Sequence, residues 1–291
     1  MTDSYNEILL ETIEMNNAIY FDLLELSVTN EGVQDKLDGI KSKIVQMVRK
    51  IVDKIIYLLD KFITSAQNLM AKFKNFKMSK KVKETDLDYF KKHRDFFMST
   101  IKGTIKPDWY KIYKLDNLTT TVFDKLEDID VKNTNTAYVK VLKSCIGYDV
   151  HNVSKDKLKE TLVKQLSFSG TSLPDVDKYI KDLNKSYESD LTDLIRKANL
   201  LKIDIKKRYK SDLRNIKDGY NIEIKKGEDK NVQDSLNTFK NKKMEYITLR
   251  YTVALDFVFA FIYVWRIFNN DIVEIIKKIN NRVKKENKNG K

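Results

Sequence analysis

Glycine and proline are scarce in this sequence, with 8 glycines and 2 prolines among 291 residues. Both residue types mark tight turns and loops, so the chain offers few positions for β-hairpins. Hydrophobic residues make up 42% and charged residues 33%, which is too apolar for a disordered chain and typical of amphipathic helices. The composition predicts an all-α fold in which long amphipathic helices form an extended helical bundle.

Side chains that commonly build catalytic and metal sites are also rare. The single cysteine, Cys145, excludes an intramolecular disulfide, and the two histidines, His93 and His151, lack the spacing of zinc ligands. No closely spaced glycines form a phosphate-binding loop, and carboxylate pairs such as Asp128 and Asp130 have ordinary surface spacing. We therefore expect a non-enzymatic protein with no catalytic residue, no metal site and no cofactor.

Positive charge is in excess, with 55 Lys and Arg against 42 Asp and Glu and a formal net charge of +13. A field of this sign attracts polyanions, so DNA and anionic membranes are the natural candidate partners. The alternative explanation for part of the lysine content is AT-rich coding sequence, which would make Lys, Asn, Ile, Asp and Tyr all frequent. The net charge indicates the class of partner and leaves the partner itself open.

The acidic arm, residues 1–32, is predicted to be a separate helical segment. Ser4 and Glu7 have the spacing of a helix-capping box, and apolar residues follow at helical spacing. Residues 1–35 contain no Lys or Arg. Their eight acidic side chains are Asp3, Glu7, Glu11, Glu14, Asp22, Glu25, Glu31 and Asp35.

A long basic amphipathic helix is predicted in the second segment, residues 33–106. Apolar residues recur at spacings of three and four from Leu37 to Phe76, which predicts one helix from Gln34 to about Lys77. A following helix is predicted to begin near Thr85 and to end before Gly103.

The rest of the chain is predicted to contain two further segments. Residues 107–172 have the pattern of several short helices, and residues 173–291 that of a long C-terminal αα-hairpin with a basic tail. In the hairpin, a helix from Pro174 to about Asp218 and a helix over residues 231–268 are joined by residues 219–227, which are predicted to form a turn, with a short strand as the alternative. A separate basic tail helix is predicted to begin at Asp271.

Two clusters of basic residues are candidate contacts for nucleic acid. Between Lys72 and Lys114, lysines outnumber acidic residues and alternate with aromatic residues, and a second cluster begins at Lys277. Positive charge close to phosphates releases counterions and supports binding without base recognition. The alternative is that the aromatic residues form core and the lysines a solvated face. The candidate residues are Lys72, Lys74, Lys77, Lys80, Lys81, Lys83, Lys91, Lys92, Arg94, Lys277, Lys278, Arg282, Lys284 and Lys285.

The most apolar run, residues 253–265, predicts a buried helix. It includes Asp256 and has about 13 residues, whereas a membrane-spanning helix needs about 20. The alternative is a membrane-active protein, of ejection or pore type, that inserts this run, because its aromatic residues also suit a membrane interface. The candidate membrane or partner-helix residues are Phe257, Phe259, Phe261 and Trp265.

The acidic segment NEILLETIEMNNAIYFDLLEL, followed by EGVQDKLDGIKSKIVQMVRKIVDKIIYLLDKFI, resembles helical structural and internal virion proteins of large tailed bacteriophages of low-GC bacteria. The resemblance covers roughly the first 80 residues. It implies a place in the capsid interior or neck, and in the host cytoplasm during assembly. In that family, acidic N-terminal segments target the protein to the capsid and are removed by a protease that cuts after Glu. By that resemblance, Glu11 and Glu25 are candidate processing sites.

Composition, charge and resemblance lead to one expected function. We expect a virion structural protein that assembles through helix packing with copies of itself, as a homo-oligomer, or with portal, capsid or core proteins. Its basic faces are expected to contact packaged DNA non-specifically. The alternative is a membrane-active protein whose lysine-rich flanks are attracted by anionic lipid.

Overall fold

The described part of the chain is helical almost throughout. A computed structural model of the protein describes residues 33–75, 92–124, 141, 143–144, 155–168, 187–220 and 230–289. Helix accounts for 92% of them, and no β-strand occurs among them. The all-α prediction is confirmed. The acidic arm and the predicted turn between the last two long helices lie outside the described residues.

The helices within the described ranges differ widely in length. They are α1 (Val33–Asn75), α2 (Arg94–Ile101), α3 (Trp109–Ile112), α4 (Lys155–Leu166), α5 (Tyr187–Tyr220) and α6 (Lys230–Asn289). A 3₁₀ turn, Leu115–Asn117, and a π-helical turn, Thr120–Asp124, lie between α3 and α4. The long helix predicted over residues 34–77 is confirmed by α1. The chain divides into two units, residues 1–51 and 52–291, and the tertiary contacts described below lie within the second.

The prediction of a separate tail helix from Asp271 is wrong, because α6 continues without a break through this position. Two adjacent asparagines precede Asp271, and asparagine is a weak helix former. The buried stripe of α6 nevertheless continues across them, with Phe268, Ile272 and Ile275 all buried. Burial of an amphipathic face contributes more to a helix than local propensity does, so packing keeps the helix intact.

The central part of α6 is buried on every side. All residues from Val253 to Phe261 are buried, and so are Val264 and Trp265, whereas Ile262 and Tyr263 are partly exposed. The predicted burial is confirmed for most of this apolar run. A helix that is apolar all round must be covered by other elements. On one side the cover is α1, where the ring of Phe62 lies 5.0 Å from that of Phe261 and 4.9 Å from that of Trp265.

The segment from α3 to the π-helical turn covers another side of α6. Aromatic residues later in this segment contact aromatic residues earlier in α6, so the segment and α6 run in opposite directions. The ring pairs, with centroid distances, are Trp109 and Phe261 at 5.2 Å, Tyr113 and Phe257 at 4.7 Å, and Phe123 and Tyr251 at 4.9 Å. Tyr113 also donates its hydroxyl to the backbone oxygen of Phe257 at 2.6 Å.

Helix α5 runs alongside the same segment in the same direction. Three ion pairs join the two elements, and the residue numbers of the pairs rise along the segment and along α5 together. These pairs are Lys111 with Asp190 at 3.9 Å, Asp116 with Lys197 at 3.3 Å, and Asp124 with Arg208 at 2.6 Å. The segment that covers α6 is therefore held between α6 and α5.

A short β-bridge joins the end of α2 to the end of α4. The Phe168 N–H donates to the Thr104 carbonyl at 2.7 Å, and the Lys106 N–H donates to the Leu166 carbonyl at 2.8 Å. Gly103 has φ +80°, a left-handed conformation that favours glycine, and it follows Lys102, the C-cap residue of α2. The predicted end of this helix before Gly103 is thus confirmed.

Asp271 connects this bridge to α6 by accepting a hydrogen bond from the buried Ile105 N–H at 3.1 Å. Burial raises the pKa of the Asp271 carboxyl, although the bond from Ile105 acts against the rise. Because the folded-state pKa is raised, this group favours the folded state below its unfolded pKa, and that contribution is lost as pH rises through the folded pKa.

We expect Asp271→Ala to lower the free energy of unfolding by about 1–3 kcal/mol, because the Ile105 N–H loses its acceptor. Asp271→Asn keeps an acceptor oxygen without a charge, so it should match or exceed the wild-type stability at neutral pH. It should also remove the loss of stability that accompanies ionisation of Asp271. Urea unfolding of the three proteins at acidic and neutral pH measures these differences. An alanine variant as stable as the wild type would show that Asp271 is not an anchor.

Candidate nucleic-acid interface

The structure places Lys92 and Arg94, from the first predicted basic cluster, beside the second cluster on α6. His93 lies between Lys92 and Arg94, and its Nε2 lies 2.9 Å from Glu286 Oε1 on α6. Its Nδ1 lies 2.9 Å from Nη2 of Arg282, a residue 189 positions away in the chain. We call the resulting surface the basic junction. Its exposed cationic residues are Lys92, Arg94, Lys277, Lys278, Lys284, Lys285 and Lys288.

Arg282 is half-buried and holds the junction together from within. Its Nε donates to Glu286 at 3.2 Å, and its guanidinium lies 5.5 Å from the ring centre of Phe96 on α2. Glu286 faces both His93 and Arg282, so its charge is directed into the junction. Within the described residues no group of three His, Cys, Asp or Glu side chains is placed to bind a metal ion.

The lysines of the junction lie on the outer face of α6. At about 100° per residue, those from Lys277 to Lys288 fall within about 120° of the helix circumference and extend about 16 Å along it. Ile275 and Ile279 are buried on the opposite face. Between Lys277 and Lys288 the only acidic residue is Glu286. The outer face at this end of α6 therefore carries a continuous positive stripe, a pattern suited to a row of phosphates.

The remaining predicted contacts are not part of this surface as described. Lys72 is exposed near the end of α1. The side chain of Lys74 lies outside the described residues. The same applies to Lys77, Lys80, Lys81, Lys83 and Lys91, and to the candidate processing sites Glu11 and Glu25.

The four candidate membrane or partner-helix residues lie in the interior of the protein. Phe257, Phe261 and Trp265 are each at most 2% exposed, and Phe259 is 8% exposed. The Nζ of Lys159 on α4 lies 4.2 Å from the ring centre of Phe259, which adds a cation–π contact to its packing. The helices that these residues contact belong to the same chain.

The helix that contains these residues, α6, is long and apolar enough to span a membrane. Among the described residues, the part of α6 from Glu245 to Glu286 is the one stretch long and apolar enough. Of its most apolar window, 78% is buried inside the protein. Core helices of water-soluble proteins have this combination as well, so the apolar character has a sufficient explanation in packing.

A nearly buried polar cluster ties α5 to α6 and was not predicted from the sequence. Asp212 of α5 accepts hydrogen bonds from Arg250 Nη2 at 3.2 Å and from the Tyr251 hydroxyl at 2.9 Å. The Arg250 guanidinium also lies 4.8 Å from the ring centre of Tyr246. Burial, and next the negative charge of Asp212, raise the pKa of the Tyr251 phenol, so the hydroxyl remains a donor. Among the described residues, the buried Nε of Arg250 has no hydrogen-bond partner, so the hydrogen bonds to Asp212 and the ring contact account for only part of this cluster.

A second basic surface, on α5, was also missed. Four exposed cations follow one another at helical spacing: Lys206, Lys207, Lys210 and Arg214. Two exposed apolar residues precede them on the same helix, Leu200 at 51% and Ile203 at 64% exposure. The spacing of Lys206, Lys210 and Arg214 at i, i+4 and i+8 is a signal by which the sequence alone indicates this face.

No protein-family model, no curated protein and no solved structure matches this chain. The basic junction is therefore interpreted from its own geometry and charge.

Proposed function

We propose that this protein is a non-enzymatic structural or internal component of a bacteriophage virion. It assembles through helix packing with itself, as a homo-oligomer, or with portal, capsid or core proteins. At the basic junction it holds packaged DNA non-specifically. The virion setting is supported by the resemblance of the first 80 or so residues to virion proteins of tailed phages.

The observation that carries the DNA part of the proposal is the basic junction itself. Lys92 and Arg94 flank His93, which contacts Arg282 189 positions away, and the α6 stripe extends over about 16 Å of helix. Exposed lysines at fixed spacing on a folded helix contact phosphates without the entropic cost of ordering a flexible segment. Counterion release then supplies the affinity without base recognition.

The tertiary arrangement that accompanies this function is an extended helical bundle with a C-terminal αα-hairpin. From residue 111 to residue 124, the ion-pair partners on α5 have increasing residue numbers, so α5 runs parallel to this segment. The ring partners of the segment on α6 have decreasing residue numbers, so α6 runs antiparallel to it. This order supports antiparallel α5 and α6, as a hairpin requires. In the proposal, such long helices serve to present surfaces to partners and bind neither substrate nor cofactor.

The DNA proposal is tested by measuring affinity for a duplex of arbitrary sequence at several salt concentrations. The wild type should bind with an affinity that falls steeply as salt rises. Neutralising the α6 stripe with K277Q, K278Q, K284Q and K285Q should reduce the salt slope by about 3–4 and weaken binding at low salt. Fluorescence anisotropy of a labelled duplex gives both quantities.

The matched control removes four exposed cations from α5 with K206Q, K207Q, K210Q and R214Q. It lowers the net charge equally but leaves the basic junction intact, so its salt slope should equal that of the wild type. If both variants lose affinity equally, the binding depends on net charge alone and the junction is not the site. Absence of wild-type binding at low salt would contradict the DNA proposal.

A membrane-active function is the second candidate, because α6 contains a stretch apolar enough to span a bilayer. To insert, this helix would have to leave α1, α3 and the ring contacts of Phe261 and Trp265. Release of a dye trapped in anionic vesicles would favour this candidate. The virion proposal expects no release, since the aromatic residues stay in the core.

Processing and location complete the proposal. The acidic arm directs the protein to the capsid interior or neck, and cleavage after Glu11 or Glu25 removes part of it. Before assembly the protein is in the host cytoplasm. N-terminal sequencing of the particle-bound protein tests the cleavage directly, since a chain that still begins at Met1 rules it out.

A further inference from the structure

His93 lies between a cation and a carboxylate at the basic junction, and these two contacts fix its protonation state. Its Nδ1 lies 2.9 Å from Arg282 Nη2, and its Nε2 lies 2.9 Å from Glu286 Oε1. An arginine guanidinium has N–H donors and no acceptor, so Nδ1 must be the acceptor of the first hydrogen bond. The ring is therefore neutral, with its proton on Nε2, and it donates that proton to Glu286.

A second proton on His93 is incompatible with the contact to Arg282. Protonation places an N–H on Nδ1, and two donor nitrogens 2.9 Å apart cannot form a hydrogen bond. The imidazolium and the guanidinium also repel each other because both are positive. The contact to Glu286 becomes stronger, because it is then an ion pair. The protonated ring therefore keeps Glu286 and loses Arg282.

The charges around His93 act on its protonation with both signs. On α6, the carboxylate of Glu286 favours the imidazolium and the guanidinium of Arg282 opposes it. His93 is also the N-cap residue of α2, and the positive end of the helix dipole opposes a charge there. The exposed charged residues beside it in the sequence are Lys92, Arg94 and Asp95. Phosphates at the junction would add negative charge, so the binding of DNA and of a proton favour each other.

Arg282 is placed to join the positive stripe of α6 once His93 no longer holds it. It follows Lys278 by four positions and precedes Lys285 by three, so it neighbours both on the helix surface. Its side chain is 40% exposed, and its guanidinium is turned toward α2, 5.5 Å from the ring centre of Phe96. Rotation of this side chain away from α2 brings a further cation to the row of lysines.

We infer that His93 is a proton-sensitive switch at the basic junction, which holds Arg282 inside the junction when neutral and releases it to bind a phosphate of DNA when protonated. His93 is thus a positioning residue that acts through Arg282. Its contact to Glu286 persists in both forms, so α2 stays on α6 and the junction remains assembled. This inference rests on the proposed function and names a regulator of its DNA site.

The test is the affinity of the full-length protein for a labelled duplex at about pH 5.5 and at about pH 8, where histidine is mainly charged and mainly neutral. The wild type should bind about three- to tenfold more tightly at the lower pH, with a salt slope steeper by about 1, as one added phosphate contact requires. His93→Gln keeps an acceptor and a donor but does not titrate, so its affinity should be nearly the same at both pH values. Fluorescence anisotropy measures all of these affinities.

Two further variants identify the groups involved. The matched control is His151→Gln, because His151, outside the described residues, is the other histidine of the sequence. This variant should keep the wild-type response to pH. Arg282→Gln should bind like the wild type at the higher pH and lose most of the gain at the lower pH, because it lacks the cation that the switch releases. Far-ultraviolet circular dichroism establishes that each variant keeps its helical content.

Proton–nitrogen NMR of the histidine rings measures the protonation state directly, without DNA. The His151→Gln variant leaves one histidine signal set and so assigns His93. At about pH 8 the switch predicts an unprotonated Nδ1 and a protonated Nε2. A proton on Nδ1 at this pH overturns the inference, because Arg282 then has no acceptor on the ring.

The outcomes separate this inference from the proposed function. If the wild type binds DNA equally at both pH values, or if His93→Gln keeps the wild-type response, the switch is wrong while DNA binding at the junction stands. Loss of the response in His151→Gln also overturns the switch, because the other histidine is then responsible. Absence of wild-type binding at both pH values would remove the DNA part of the proposed function together with the switch.

Discussion

Replacing Phe261 with alanine is expected to lower the free energy of unfolding by about 3–5 kcal/mol. Phe261 is fully buried, and its ring lies 5.0 Å from Phe62, 5.2 Å from Trp109 and 5.3 Å from Tyr113. The substitution removes the ring and leaves a cavity where α1, α3 and α6 meet. Large rings held by their own contacts do not move in to fill it, so the full cavity cost remains.

Chemical denaturation followed by circular dichroism measures this loss, with Ile203→Ala as the matched control. Ile203 is 64% exposed on α5, so its truncation should change stability by less than about 0.5 kcal/mol. Similar effects for the two variants would contradict a core role of Phe261. They would instead favour the membrane-active candidate, in which this aromatic residue is kept for insertion into lipid.

Replacing Asp212 with alanine is the second change expected to cost about 3–5 kcal/mol. Asp212 accepts hydrogen bonds from the Arg250 guanidinium and the Tyr251 hydroxyl, and its side chain and that of Arg250 are 12% and 11% exposed. Without the carboxylate, a nearly buried cation and a buried hydroxyl both lose a partner. Unpaired buried charge is costly because the protein interior solvates it poorly.

The matched control for Asp212 is Asp193→Ala on the same helix. Asp193 also pairs with an arginine, Arg196, at 2.7 Å, but both side chains are well exposed, so its loss should cost about 1 kcal/mol or less. A third variant, Asp212→Leu with Arg250→Met, removes both charges and should recover much of the lost stability. If Asp212→Ala costs no more than Asp193→Ala, the cluster does not hold α5 to α6.

The helices that rest on a regular apolar stripe were predictable from the sequence. Helix α1 follows from its three-and-four spacing, and the burial of the run around Phe261 follows from its uninterrupted apolar character. The continuity of α6 across Asp271 was not predictable from local propensity. It depends on the burial of Phe268 and Ile272, which is decided by elements far away in the chain.

In the candidate site too, features that depend on neighbouring residues were predictable, and contacts between distant residues were not. The sequence identified the lysines near residues 92 and 277, because charge runs are visible locally. It gave no sign that His93 contacts Arg282 and Glu286, since that pairing depends on how α2 meets α6. The Asp212 cluster was missed for the same reason: its partners are 38 and 39 positions away, and neither spacing belongs to a helix or strand pattern.

The most direct measurement is protein mass spectrometry of phage particles purified from cells that carry this gene. The proposed function predicts that the polypeptide copurifies with DNA-filled particles. It should stay with them after protease treatment of their outer surface, because the proposal places it in the capsid interior or neck. Its absence from such particles, with recovery in the membrane fraction or free in the cell, would contradict the virion proposal.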